Sequence, residues 1–130
     1  MYTDTNIKRG EVKTVYCAAP YTKGDVGVNV RKSIDVSDEL ARAGFAVFCP
    51  LLTHFWHIVH PHPYEFWMKQ DLAWLRECDA MVYLVGPSAG VETEIENARM
   101  LGMPIFEWRG KATIAQITNL DLFTNQEKLI

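Results

Sequence analysis

Apolar positions in this chain alternate between short runs and longer periodic stretches. The runs lie at residues 13–19, 45–49, 80–85 and 104–108. Pro20, Pro50 and Gly86 close the first three. Short apolar runs bounded by such residues read as buried strands. Between them the apolar positions recur at helical spacing. Residues 29–43 carry Val30, Ile34 and Ala41 on one stripe and stop at Gly44. Residues 64–77 and 91–101 read as further helices, the second ended by Gly102. Residues 1–11 read as a polar lead-in and 21–27 as a loop. The last twenty residues suggest a short helix and a tail. The stretch 53–63 is too irregular to assign.

Strands alternating with helices predict an α/β fold. The expected architecture is a flavodoxin- or Rossmann-like three-layer sandwich around a mainly parallel sheet of four to five strands. Residues 12–130 read as one domain. The uniformly apolar run at 80–85 suits a central strand. In such sheets ligands bind beyond the carboxyl ends of the strands, at the switch point between the first and third. Loops 19–27 and 86–90 therefore frame the expected site, with 53–63 on the same rim.

Composition narrows the partners. The net charge of −3 gives no basic surface for a nucleic-acid duplex. No apolar run approaches the ~18 residues that span a membrane, and the first eleven residues lack a signal-peptide core. Cys17, Cys49 and Cys78 form no CxxC pair, which suits a reducing, cytoplasmic setting.

Two carboxylates stand in unlike places. Trp67, Asp71, Trp74 and Cys78 share one face of the helix 64–77, a face otherwise apolar and expected to pack inward. A carboxylate there loses hydration, which favours its neutral form and suits a general acid. The plainer reading is that Asp71 bonds a loop amide. On the helix from 91, Val91, Ile95 and Ala98 form the expected buried stripe, with Glu94 at its edge. The positive end of the helix dipole favours an ionised Glu94, a candidate nucleophile. The plainer reading is that it only complements the dipole. One neutral acid and one charged one, facing one crevice, is the pair that cleaves glycosidic bonds.

Three segments carry a family likeness: VYCAAPY at 15–21, DLAWLRECDAMV at 71–82, and GPSAGVETEIENA at 86–98 followed by GMPI at 102–105. Over residues 13–107 the chain resembles the nucleoside 2-deoxyribosyltransferases and their relatives, the nucleoside 5′-monophosphate N-glycosidases. The resemblance implies that Glu94 forms a glycosyl ester at C1′, that Asp71 gives a proton to the departing base, and that Tyr16 holds the nucleophile. Ala18, Ala19, Tyr21, Lys23, Ser88 and Gly90 are the expected substrate contacts on the same rim. Ser88 stands where transferases often carry aspartate and monophosphate glycosidases carry serine. A serine donates to a phosphate and an aspartate repels it, which favours hydrolysis of a nucleotide. The chain departs from the glycosidases at Ala19 and Tyr21, where they carry serine and arginine. Thr22, Lys23, Arg31 or the amides of 24–27 are the candidates to replace that charge. The resemblance implies no cofactor and a homodimer or higher homo-oligomer with shared active sites. Asn119 and Asn125 are candidates to contribute across such an interface.

All four histidines, His54, His57, His60 and His62, lie within nine residues. No cysteine is near and two prolines interrupt the run, unlike a closed zinc site. No metal is expected. The stretch reads instead as a lid, with His54, Phe55, Trp56, Tyr64 and Trp67 offered to a base, where one aromatic stack is worth ~1–3 kcal/mol.

Four functions follow. The first is hydrolysis of the N-glycosidic bond of a (deoxy)nucleoside 5′-monophosphate through Glu94. The second is base exchange by the same chemistry. The third is a non-catalytic nucleotide-binding module. The fourth is cleavage of a dinucleotide. In each the partner is a small nucleotide or nucleoside.

Overall fold

The structure, a computed structural model, describes the backbone of residues 12–128 and the side chains of 12–120. Strands β1 (Thr14–Ala18), β2 (Ala46–Phe48), β3 (Ala80–Tyr83) and β4 (Ile105–Glu107) form a parallel sheet in the order β2-β1-β3-β4. The helices are α1 (Val26–Arg42), α2 (His54–Val59), α3 (Tyr64–Leu75), α4 (Ala89–Met100) and α5 (Lys111–Lys128). This is the flavodoxin-like α/β order that the alternation predicts.

Period-two alternation along the strands builds two cores. Val15, Cys17, Ala80 and Val82 face one way and meet Val36 and Leu40 of α1 and Ile117 of α5. Tyr16, Ala18 and Met81 face the other way and meet Leu75 of α3 with Val91 and Ala98 of α4. Tyr16 is thereby carried on the face that looks at α3 and α4.

Several elements depart from expectation, each for a physical reason. The run at 45–49 is an edge strand, with Ala46 exposed, because β1 and β3 take the centre of the sheet. Helix α1 starts at Val26, so Gly27 is helical, because Asp25 caps it by accepting from the Val28 amide at 3.0 Å. The irregular stretch is mostly helical: a 3-10 turn at Pro50–Thr53 runs into α2. No residue of α2 is buried, so it shows no inward stripe for a periodicity search to find. The face of α3 also turns. Leu75 enters the core, whereas Trp74 stays 53% exposed, stacked on Phe48 at the sheet edge with ring centroids 5.4 Å apart. The C-terminal helix is 18 residues long. It is anchored where the Thr113 hydroxyl donates to the Glu107 carbonyl (2.8 Å) and accepts from the Arg109 amide (2.7 Å).

Leu40 is fully buried between α1 and the sheet. Leu40→Ala is expected to lower unfolding stability by about 2–5 kcal/mol with an unchanged urea m-value. A loss under about 1 kcal/mol would mean that α1 does not close this core.

Candidate active site

A cavity of about 350 Å3 lies beyond the carboxyl ends of β1 and β3. Its walls come from the loop after β1, the 3-10 turn with α2, the start of α3 and the start of α4. The loops from the two central strands touch at the switch point. Gly86 has φ +154°, and a Cβ there would lie 2.9 Å from Pro20 Cγ. Only glycine lets the turn that leads into α4 sit this close to the first loop.

Ser88 opens α4. Its Oγ accepts from the Val91 amide at 3.1 Å, which leaves the hydroxyl hydrogen free to donate. Val91, Glu94 and Ala98 are the buried positions of α4, so Glu94 sits within the stripe and not at its edge. Glu94 is 5% exposed and borders the cavity. From the sheet below, the fully buried Tyr16 donates its hydroxyl to Glu94 Oε2. The Tyr16 ring is backed by Phe48, stacked at 5.5 Å.

Asp71 reaches the same cavity from α3. Its Oδ1 is buried without a hydrogen-bond partner. An unpaired buried carboxylate oxygen is costly when charged, and burial pushes the Asp71 carboxyl up to about 7. Glu94 differs from expectation. It is raised to about 8, chiefly by burial, with the Tyr16 hydrogen bond pulling down and the charge of Asp71 pushing up. Desolvation thus outweighs the helix dipole. The Tyr16 hydroxyl rises as well, chiefly by burial and then by the charge of Glu94, so it stays a donor. Two acids raised by burial on one cavity oppose double ionisation, so the pair retains a proton through neutral pH. The form with Glu94 charged is the one that uses the Tyr16 donor.

The other predicted residues divide. Ala19, Tyr21, Lys23, His54, Trp67, Ser88 and Gly90 border the cavity, as do Thr22 and Tyr64. Tyr21 ties the first loop to α2 through its hydroxyl and His54 Nδ1, 2.6 Å apart. Asn29 folds that loop by donating to the carbonyls of Tyr21 (2.9 Å) and Lys23 (2.8 Å). Ala18 does not reach the cavity; its strand position points it into the core under α3 and α4. Trp56 does not line it either. It stands edge-on to Trp67, centroids 5.0 Å apart, on the outer side. Phe55 is 68% exposed, because α2 lies across the rim with its apolar side outward. Arg31 points to solvent beside Asp35, at 3.8 Å, and so leaves Lys23 as the cation at the cavity. Asn119 is exposed on α5, and the side chain of Asn125 lies outside the described residues.

Two further histidines of the expected lid join His54 at the cavity. His57 and His62 both border the cavity. The Trp67 indole donates to His57 Nδ1 at 2.8 Å, and the His62 amide donates to the same nitrogen at 3.3 Å. The His62 ring stacks on Phe66 at 3.7 Å. Among the described residues, no group of three or more His, Cys, Asp or Glu is placed to hold a metal ion. His54 bonds the Tyr21 hydroxyl instead, and His57 accepts from the Trp67 indole and the His62 amide.

Residues 13–108 match the family described as a domain of unknown function, DUF7768. No curated protein matches the chain. Among solved structures, the fold is similar to that of a 2-deoxyribosyltransferase from the psychrotolerant bacterium Bacillus psychrosaccharolyticus. The two are 19% identical over 72% of this chain and 70% of that one, with a TM-score of 0.56.

An acid whose value rises on folding costs stability as pH climbs from its unfolded toward its folded value. For Glu94 that window runs from 4.5 to about 8. Glu94→Gln is therefore expected to match wild type in melting temperature below pH 4.5 and to gain on it progressively up to pH 8. A difference independent of pH would show that Glu94 does not carry this cost.

Proposed function

The chain belongs to the DUF7768 family, and we propose that it is an enzyme of N-glycosyl transfer, exchanging the base of a nucleoside through a glycosyl ester on Glu94. The observation that carries this is the pairing of a buried, tyrosine-held carboxylate with a second, unpartnered carboxyl on one cavity. The likeness to a 2-deoxyribosyltransferase supports transfer to a second base over transfer to water.

The steps follow from the side chains. With Tyr16 donating to one oxygen, the Glu94 carboxylate attacks C1′ of the sugar. The C1′–N bond breaks, its electrons pass to the base, and Asp71 delivers its proton there. The base leaves and the sugar remains as an ester of Glu94. A second base attacks C1′ from the vacated side and gives its proton to Asp71. Glu94 is released, and two inversions retain configuration. Burial raises both carboxyls, Asp71 to about 7 and Glu94 to about 8, so the pair shares a proton, and the Tyr16 donor favours the arrangement with the charge on Glu94 and the proton on Asp71.

A second reading has its own support. Thr22, Lys23, the Ser88 hydroxyl and the first turn of α4 border one cavity with Glu94. These are groups that hold a phosphate. With a nucleoside 5′-monophosphate as donor and water as acceptor, the same intermediate gives hydrolysis.

The test is chromatography of a deoxynucleoside or its 5′-monophosphate incubated with a foreign base. Exchanged nucleoside is expected, with loss of about a thousandfold or more in Glu94→Ala and of about a hundredfold or more in Asp71→Asn. Free base without exchange would favour the hydrolytic reading. Equal product from wild type and Glu94→Ala would end both. Ligand-raised melting without turnover would leave a binding module.

The rate should depend on pH as a bell, rising as the Asp71–Glu94 pair loses its first proton and falling as it loses its second. Tyr16→Phe removes a donor to the charged form and so raises Glu94 further. Its acid limb in kcat/KM is expected at higher pH than that of wild type. An unmoved limb would mean that Tyr16 does not tune the nucleophile.

A further inference from the structure

We propose that His57 selects the base by presenting a fixed N–H donor to it, so that a carbonyl oxygen is accepted and an amino group is refused. The proposal rests on the reading that a nucleobase leaves from this cavity, and it adds which bases do so.

The partners of His57 fix its tautomer. An indole N–H can only donate. Trp67 Nε1 lies 2.8 Å from His57 Nδ1, so Nδ1 must accept. The His62 amide, also donor-only, points at the same nitrogen from 3.3 Å. With Nδ1 engaged twice as an acceptor, the hydrogen of the neutral ring belongs to Nε2. Among the described residues Nε2 has no hydrogen-bond partner, and it is not among the buried unpaired atoms. It is the polar atom that His57 still has to offer, and His57 borders the cavity.

Position supplies the ligand. Trp67 and Asp71 lie four residues apart on α3, one turn along the same side of the helix. Both border the cavity. The group that takes a proton from Asp71 therefore lies about a turn from the residue that locks His57. In the proposed reaction that group is the base.

The lock is well supported. Trp67 is packed edge-on by Trp56 (5.0 Å), His62 (5.5 Å) and Phe66 (4.9 Å). A ring held this way cannot easily swap tautomer to suit its ligand. A donor facing an amino group leaves two donors opposed, and sites built around one hydrogen-bonding pattern reject the other strongly. Histidine 54 differs, because its partner is the Tyr21 hydroxyl, which can give or take a hydrogen.

Calorimetric titration with free hypoxanthine and free adenine tests this without requiring turnover. These bases place an oxygen and an amino group at the same ring position and carry no sugar. Wild type is expected to bind hypoxanthine about tenfold more tightly than adenine. His57→Phe keeps a flat ring and should bring the ratio near one. His57→Gln can turn its amide either way, so it should hold hypoxanthine while admitting adenine. Trp67→Phe leaves His57 in place but frees Nδ1, and should relax the preference in part. Equal binding by wild type, tighter adenine, binding of neither base, or a His57→Phe loss equal for both bases would each overturn the proposal. Base discrimination without bond cleavage would sink the catalytic reading and leave His57 standing. Base exchange without discrimination would do the reverse.

Discussion

The site depends on a hydrogen bond that crosses from sheet to helix. Tyr16 comes from a strand at the centre of the sheet and Glu94 from α4, which packs above it. Neither group would be stable at that depth alone. A buried phenol needs an acceptor and a buried carboxylate needs a donor. The bond satisfies both, and it aims the carboxylate at a cavity that the strand order opens beside it. Phe48 and Trp74 extend the support outward as an aromatic stack reaching the sheet edge.

Asp71 is placed by the opposite logic. Its Oδ1 has been given no donor. Burial without compensation is normally a defect, yet it is what keeps a carboxylic acid protonated near neutral pH. The fold thus treats two chemically alike side chains differently. One receives a hydroxyl, which favours its anion; the other has an oxygen with no donor, which favours its neutral form. The cost is stability, since both groups resist ionising where they sit.

The rim is built from aromatic and imidazole contacts in place of backbone ladders. Tyr21 joins the first loop to α2, and Trp67 joins α3 to the same helix through His57. A short helix with no buried residue is held over the cavity by these side-chain bonds. Their polarity lets the rim present hydrogen-bonding atoms where a wholly apolar wall would give only shape.

Much of the fold was legible in the residues. Alternating apolar runs and helical stripes specify strands and helices because burial requires those periods, and the even hydrophobicity of 80–85 marks the strand at the sheet centre. The spacing of Asp71 and Glu94 on separate helices pointed to one crevice, because parallel α/β sheets bring those helix ends together. Other features were closed to any reading of pattern. That Glu94 lies within the buried stripe, and not at its edge, depends on how α4 packs on the sheet. That Trp74 faces outward while Trp67 faces in depends on the rotation of α3, and that Trp56 faces outward depends on how α2 lies across the rim. The bond from Trp67 to His57 joins residues ten apart across Pro61 and Pro63, where no helical or strand period applies. Local chemistry determined which elements form and which side chains are able to react. Only packing decided which of them lose water, which gain a partner and which meet, because desolvation and hydrogen bonding act between surfaces that are neighbours in space and not in order along the chain.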